Sequence, residues 1–162
     1  MGDTRGMILI SACLAGENCK YNGGDNLHPL FRRLVQDGKA LPVCPEQLGG
    51  LPTPRSPSEI RGGSGEDVLT GKARVINQQG EDVSAQFLAG AKKTLEIARQ
   101  AGATQVVFKS RSPSCGCGQV YDGSFSGKLC NGDGVTAAWL RRQGMDVISD
   151  EEYLHKGECS KN

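Results

Sequence analysis

Three of the seven cysteines in this chain follow apolar runs, and their placement is the first sign of a chemical site. Cys13 ends the run LISAC, Cys44 ends LPVC, and Cys115 ends VVFKSRSPSC. If these runs are buried parallel strands, their carboxyl ends meet at one edge of the sheet, where ligands bind in open α/β folds. We therefore expect three thiols on one rim. The alternative is that they are small buried hydrophobic residues.

Convergent thiolates favour zinc, copper(I) or an iron–sulfur cluster. A zinc ribbon is not predicted, because the cysteines of residues 115–117 are too close for a paired knuckle, whereas Cys13 and Cys19 are too far apart. The two histidines are expected at the surface. A [4Fe–4S] cluster usually takes four cysteines, so three ligands would leave one iron open, as catalytic metal sites do.

Groups suited to acid–base work stand beside these thiols. Glu46 follows Cys44 by two residues, and Ser112 and Ser114 come just before Cys115. Other readings remain open, since a loop carboxylate can cap backbone amides and serines are common turn formers. Further charged candidates near the same rim are Asp25, Arg55, Lys109 and Arg111.

The segment NGDGVTAAW is expected to begin a helix. It places Gly132 and Asp133 at the helix start, where backbone amides can hold a polar ligand edge or simply be capped. We expect a substrate contact there as the functional alternative to capping. The Lys-Ser/Thr pair of a phosphate loop is absent, and no dinucleotide-binding glycine motif follows the first strand.

We expect the thiols and the acid–base groups to be positioned by a fold in which strands alternate with helices along the chain. The pattern predicts an α/β fold, a single three-layer Rossmann-like domain over residues 7–150 with a mostly parallel sheet and small hairpin insertions, followed by a polar tail at 151–162. Residues 45–63 are expected to form an irregular shaped loop. Core strands are predicted at 7–14, 40–44, 105–109 and 145–148, helices at 28–35, 84–100 and 134–143, and hairpins at 73–83 and 119–129.

Composition narrows the classes of function. A net charge of +1 and an aromatic content of 5% argue against a nucleic-acid polymer as partner. No apolar stretch is long enough to cross a membrane and no secretory signal is recognised, so a cytoplasmic protein is expected. An odd number of cysteines in that compartment argues against a disulfide framework.

Four motifs, SACLAGENCKYNGG, CPEQLGGLPTPR, FKSRSPSCG and GDGVTAAWLRRQG, occur in an order that resembles the thiouracil desulfidase family. The similarity extends over residues 7–148 and corresponds to the short, single-domain form. The resemblance implies a [4Fe–4S] cluster held by Cys13, Cys44 and Cys115. Glu46 and Ser112 match the positions of the family's catalytic glutamate and serine. Cys19 lies in a matching motif, either as a ligand in place of one of the three or as a neighbour of the cluster.

The implied reaction is the removal of sulfur from a small thiolated base, giving uracil from thiouracil. It would proceed by Lewis-acid polarisation of the C=S bond rather than by electron transfer. Glu46 would move the proton, and Ser112 would orient the water or the base ring. Two other functions remain open, namely a non-catalytic cluster carrier or sulfide sensor, and a redox dithiol formed by Cys115 and Cys117.

Overall fold

The computed structural model describes residues 7–160 of the chain, with side chains to residue 156. Its strands are β1 (Ile8–Ser11), β2 (Ala40–Val43), β3 (Ser58–Arg61), β4 (Arg74–Asn77), β5 (Gln105–Phe108), β6 (Gln119–Tyr121), β7 (Leu129–Asn131) and β8 (Asp146–Ser149). Its helices are α1 (Pro29–Gln36), α2 (Pro45–Leu48), α3 (Gly65–Leu69), α4 (Ser84–Ala101), α5 (Val135–Arg142) and α6 (Asp150–Ser160). Within the described part, each helix is too short or too polar to traverse a bilayer.

A four-stranded sheet in the order β2-β1-β5-β8 forms the centre of the fold, and every pairing in it is parallel. Leu9 and Ile10 on β1 are fully buried although they point to opposite faces, as are Val106 and Val107 on β5. Parallel strands are buried on both faces because their crossover connections place helices there. The predicted parallel sheet is confirmed.

Helices cover both faces of this sheet and complete three layers. On one face, α4 and α5 pack Leu95 and Leu140 against a cluster that includes Leu9. On the other face, Phe31 of α1 lies with Ile10 and other buried residues. Neighbouring residues of a strand point to opposite faces of the sheet, so they belong to two separate core clusters. The structure therefore confirms the predicted α/β class.

The longest helix, α4, begins and ends close to where the sequence predicts. Asp82 accepts a hydrogen bond from the backbone N–H of Ser84 at 2.9 Å, and the Ser84 hydroxyl accepts one from the Val75 N–H at 2.8 Å. At the other end, Gly102 adopts a left-handed conformation with φ of 71°, which suits glycine at a helix terminus. These contacts tie α4 to β4 as well as to the core.

The prediction of irregular structure after Cys44 was wrong. Pro45 starts the short helix α2, since its fixed φ and missing N–H suit a first helical position. Farther along, β3 pairs antiparallel with β4, and Ile60 and Val75 face each other in that pair without exposure. The predicted hairpin around residues 77–80 is reduced to one isolated bridge, because β4 uses β3 as its partner.

The segment expected to be a polar tail forms α6 instead. Tyr153 packs against Phe31 with ring centroids 5.6 Å apart, and Leu154 joins the same core cluster. Its first turn is acidic, which complements the positive end of the helix dipole. The low mean hydropathy of the segment concealed two adjacent apolar residues that suffice to dock a short helix on the sheet.

Two glycines allow α2 to lie directly on α4. A Cβ atom on Gly90 of α4 would overlap the carbonyl oxygen of Pro45, and a Cβ on Gly49 would overlap the carbonyl oxygen of Gln86. The two helices therefore pack backbone against backbone. Since α2 begins immediately after Cys44, this contact fixes the position of residues that prove central to the site.

Candidate active site

A cavity of about 540 Å³ opens at the carboxyl ends of β1, β2 and β5. Cys13, Cys44 and Cys115 all line it, as the strand-edge argument expects, and Cys19 joins them. Each of the four is a free thiol. The parallel sheet thus brings together three residues that are far apart in the sequence.

Cys13 is held by the turn that follows β1 and by a loop that returns to it. A short 3-10 helix, Ala12–Ala15, carries the residue away from the strand. Asn26 then binds it twice: the backbone N–H donates to the Cys13 carbonyl at 2.9 Å, and the side-chain amide donates to the sulfur at 3.3 Å. Such a contact favours a thiolate at Cys13, because the amide can only donate to it.

Cys19 is close to both Cys13 and Cys44, and the Cys44 thiol lies 3.8 Å from the Cys19 carbonyl oxygen. Hydrogen bonding to Cys13 and Cys44 together with burial raises the pKa of Cys19 well above its usual range. The same contacts lower the pKa of Cys13, and they lower the pKa of Cys44 to about 7, with help from the backbone N–H of Gln47. The shifts therefore favour ionisation of Cys13 and Cys44 over ionisation of Cys19.

Cys115 is fixed by the loop after β5. The hydroxyl oxygen of Ser112 accepts hydrogen bonds from the backbone N–H groups of Ser114 and Cys115, at 3.2 and 3.1 Å. Burial raises the pKa of Cys115, which is 4% exposed, and hydrogen bonds involving Ser11 and Ser114 oppose that shift. A buried thiol of this kind becomes a thiolate when a metal binds it.

A chain of hydrogen bonds links the acid–base candidates beside the thiols. The Ser114 hydroxyl lies 3.2 Å from Oε2 of Glu46 as a donor, 3.1 Å from the Ser112 hydroxyl, and 3.6 Å from the Cys115 sulfur. The other carboxylate oxygen of Glu46 pairs with Nε of Arg55 at 3.3 Å. A proton can therefore move between the carboxylate and the serine hydroxyls without leaving the cavity wall.

Other predicted residues are divided between the cavity and the rest of the molecule. Arg55, Lys109 and Arg111 line the cavity. Asp25 instead caps its own loop, accepting a hydrogen bond from the Leu27 N–H at 2.9 Å. Aromatic side chains not predicted for the site, those of Tyr21, Tyr121 and Phe125, also line the cavity.

Gly132 and Asp133, the predicted substrate contacts, lie outside the cavity lining, and their role stays a prediction. Asp133 is occupied elsewhere, accepting a hydrogen bond from the Gly118 N–H at 2.8 Å and pairing with Arg141 at 3.1 Å. Gly132 lies against Ser64, outside the cavity lining. The backbone amides at the start of α5 donate to carbonyls of the loop after β5, as Val135 does to Pro113 at 2.8 Å, so this helix start fastens that loop.

Two residues that sequence reasoning missed support the site directly. Asn26 binds Cys13, and Ser11 accepts a hydrogen bond from the backbone N–H of Lys109 at 2.9 Å, joining the ends of β1 and β5. Neither has a local signal, because each acts on a residue distant in the sequence. Cys117 lies outside the cavity lining and its thiol approaches the Cys115 carbonyl at 3.5 Å, with its pKa raised by burial to about 12.

The donor set fits a cluster better than a single ion. Among the described residues, no group of three or more cysteine, histidine or acidic side chains is arranged to hold one metal ion. In an iron–sulfur cluster the cysteines bind different iron atoms, so its ligands stand farther apart around a larger centre. The thiols of Cys13 and Cys115, which are buried, and of Cys44, which is half-buried, line one large cavity and match that requirement.

Fold and site together define an α/β protein with a thiol-lined cavity at the carboxyl edge of a parallel sheet. The model of the 2-thiouracil desulfurase family matches residues 8–152. The chain belongs to that family, as the four motifs predict.

Two related proteins agree with this assignment. The protein YbbK of Bacillus subtilis (strain 168) is 51% identical over 146 residues, which cover 90% of this chain and 97% of the relative. A solved structure named as the [4Fe-4S]-dependent thiouracil desulfidase TudS superposes with a TM-score of 0.81 at 36% identity. That match covers 96% of this chain and 98% of the other.

Proposed function

We propose that this protein is a [4Fe–4S]-dependent desulfidase that hydrolyses a small thiolated pyrimidine base, converting thiouracil and water into uracil and sulfide. Family membership and the likeness to TudS support the activity. The observation that carries the proposal is that three strand-end thiols and the Glu46–Ser114 pair line one cavity. The proposed cluster ligands and the proposed acid–base pair therefore face the same cavity.

Cys13, Cys44 and Cys115 are the proposed ligands of the cluster. Cys19 is assigned the role of a neighbour, because it lies in the loop beyond the turn that carries Cys13 and its pKa is raised by hydrogen bonding to Cys13 and Cys44. When bound by three thiolates, the cluster supplies an open iron that can polarise the thiocarbonyl group as a Lewis acid. The surrounding loops bury these thiols and exclude competing ligands.

Glu46 is the proposed general base and acid. Its carboxylate takes a proton from the water that attacks the thiocarbonyl carbon, and later returns it to the departing sulfur. Both protons of the water end on the sulfide. The oxygen of the water ends on the pyrimidine carbon, and no electrons are exchanged. Ser114, within hydrogen-bond distance of Glu46, is placed to relay a proton or to bind the base.

The role of Ser112 as a catalytic residue stays a prediction. Its hydroxyl is joined to Ser114 and its oxygen accepts two backbone hydrogen bonds from the loop that carries Cys115. It can thus serve the reaction in two ways, by shaping the ligand loop and by extending the hydrogen-bond chain from Glu46. The physiological partner is proposed to be a small thiolated base rather than a nucleic-acid polymer.

Anaerobic reconstitution followed by a sulfide-release assay tests the proposal. The reconstituted protein should contain about four irons per chain and convert thiouracil to uracil with stoichiometric sulfide. Glu46→Gln keeps the shape and one hydrogen-bond acceptor, so it should retain iron but lose about 10²- to 10⁴-fold in turnover. Glu96→Gln, at an exposed position of α4, is the matched control and should behave as wild type.

Other outcomes would point to a different function. If Glu46→Gln kept both its iron and full activity, Glu46 would not be the base. A protein that holds the cluster but never releases sulfide from thiolated bases would instead be a carrier or sensor. A colourless, zinc-loaded protein that is fully active would exclude the cluster mechanism.

A further inference from the structure

Arg55 occupies a buried position between the two loops that carry the proposed site. Its side chain is only 6% exposed, although a guanidinium is strongly polar. All of its nitrogen atoms have partners. Nε donates to Glu46 at 3.3 Å, Nη2 to the Cys19 carbonyl at 2.9 Å, and Nη1 to the Pro52 carbonyl at 3.1 Å and the Thr53 hydroxyl at 3.0 Å.

We infer that Arg55 is a positioning residue for desulfidation, which fixes the Glu46 carboxylate and ties the Cys19 loop to it. This inference rests on the proposed function. Arg55 belongs to the connection between α2 and β3, whereas Cys19 lies in the connection between β1 and α1. One guanidinium thus joins the loop after the first ligand to the loop after the second. The backbone N–H of Arg55 adds a further link, to the Tyr21 carbonyl at 2.6 Å.

The contacts of Glu46 show what is being fixed. Its Oε1 is bound by Arg55, and its Oε2 accepts from the Ser114 hydroxyl. Because the two oxygens have different partners, the carboxylate cannot rotate freely without losing one contact. Oε2 is thereby held toward Ser114 and the Cys115 loop. Catalytic groups held in one orientation avoid the loss of rate that accompanies even small misplacement.

A guanidinium suits this task and an ammonium does not. Arg55 donates in three directions at once from a rigid planar fork. Lysine has a single nitrogen on a flexible stem, so it can keep the charge but cannot reach all of these partners. Arg55→Lys therefore separates the charge of the residue from its geometry.

The other cations of the cavity are arranged differently. Lys109 binds the backbone and side chain of its neighbour Ser110, and Arg111 pairs with Glu151. Within residues 7–156, neither of them has a hydrogen bond or ion pair with Glu46, nor does Lys20, the remaining cation of the cavity wall, whereas Arg55 has a charged hydrogen bond with it. The assignment therefore falls on Arg55 alone among the cavity cations that the structure describes.

The first test compares steady-state kinetics in two backgrounds. Arg55→Lys should lower kcat about 10- to 100-fold with KM little changed and the iron content per chain unchanged. In the Glu46→Gln background, Arg55→Lys should have no further effect on residual turnover, because Arg55 acts through that carboxylate. Arg142→Lys, which alters an exposed arginine paired with Glu66, is the matched control. An equal loss of kcat in both backgrounds would overturn the inference.

The second test does not depend on catalysis. Cys19 is 5% exposed, so its alkylation in the anaerobically purified protein requires local opening of its loop. Arg55→Lys should make this alkylation about tenfold faster, as measured by mass spectrometry of the Cys19 peptide, because the hydrogen bond to the Cys19 carbonyl is lost. Alkylation at the wild-type rate would overturn the link between the two loops.

Together, the kinetic test and the alkylation test distinguish a failure of the proposed function from a failure of the inference about Arg55. If the wild type released no sulfide, the function would fall while the alkylation test still decided on the link. If Arg55→Lys did not hold iron, Thr53→Val would replace it, since this change removes the hydroxyl that accepts from Nη1, and Gln47→Leu would be its control because the same hydroxyl also accepts from the Gln47 amide at 2.8 Å. Thr53→Val should lower kcat modestly, and only when Glu46 is present. A loss independent of Glu46 would contradict the inference.

Discussion

Substitution of Gly90 by alanine should damage the site from a distance. Gly90 lies on α4, away from the cavity lining, but its backbone touches Pro45 at the start of α2. Pro45 stands between Cys44, a proposed ligand, and Glu46, the proposed base. Glu46 lies on α2 itself, whereas Cys44 directly follows β2, so a shift of α2 moves Glu46 more than Cys44.

The size of the shift can be worked from the contact. A Cβ on Gly90 would stand 2.9 Å from the carbonyl carbon of Pro45 and still closer to its oxygen. Ordinary contacts begin at 3.4 Å and the oxygen is the nearer atom, so α2 must retreat by about 1 Å or more. Overpacking costs about 1–3 kcal/mol, and the better helix propensity of alanine returns about 1 kcal/mol. We expect a net loss of stability of about 0–2 kcal/mol.

The effect on activity should exceed the effect on stability. Misplacement of a catalytic group by 1 Å can cost about 100-fold in rate, so Gly90→Ala should lower kcat about 10- to 100-fold. Sulfide release is the assay, with iron content and thermal unfolding measured on the same sample. Gly49→Ala makes the reciprocal contact with the Gln86 carbonyl and should act alike. Lys92→Ala, an exposed neighbour on α4, is the control. Wild-type kcat in Gly90→Ala would refute the argument that α2 is held by this contact.

Three further predictions follow from the site and the sheet. Cys19→Ser should keep the full iron content, measured by colorimetric assay, because we propose that Cys19 is a neighbour of the cluster and not a ligand; loss of iron would reassign it. Ser114→Ala should lower kcat about 10-fold or more, since it breaks the link to Glu46, and unaltered turnover would remove it from the proton path. Tyr153→Ala should lower the free energy of unfolding by about 1–2 kcal/mol in denaturant titrations through its contact with Phe31, and an unchanged value would mean that α6 adds nothing.

The sequence predicts those parts of the molecule that follow from burial and topology. Continuous apolar runs identify the core strands, and the rule for parallel sheets then brings Cys13, Cys44 and Cys115 to one edge. Glu46 and Ser114 come with them because they are close to these thiols in the chain. None of these inferences requires knowledge of how distant loops pack.

Sequence reasoning fails where contacts between distant loops decide the outcome. The helix α2 has four residues, too few for periodicity to reveal it, and it is stabilised by packing on α4. Asn26 reaches Cys13 only because its loop folds back. Asp133 has the composition of a ligand-binding helix start, yet its carboxylate is satisfied by Gly118 and Arg141. A local sequence pattern reveals a polar side chain, but it does not reveal which distant residues form hydrogen bonds or ion pairs with that side chain.

The two halves of the proposed chemistry depend on different levels of the structure. Two of the proposed ligands, Cys13 and Cys44, stand within two residues of strand ends, and the third follows the neighbouring strand, so they are positioned by the sheet and its buried core. Glu46 is positioned by a short helix that rests on a glycine contact and by the buried guanidinium of Arg55. Changes in the latter contacts should therefore reduce kcat while iron remains bound. Because the proposed ligands follow strands of the sheet whereas Glu46 lies on α2, cluster retention and turnover are expected to separate in variants of Arg55 and Gly90.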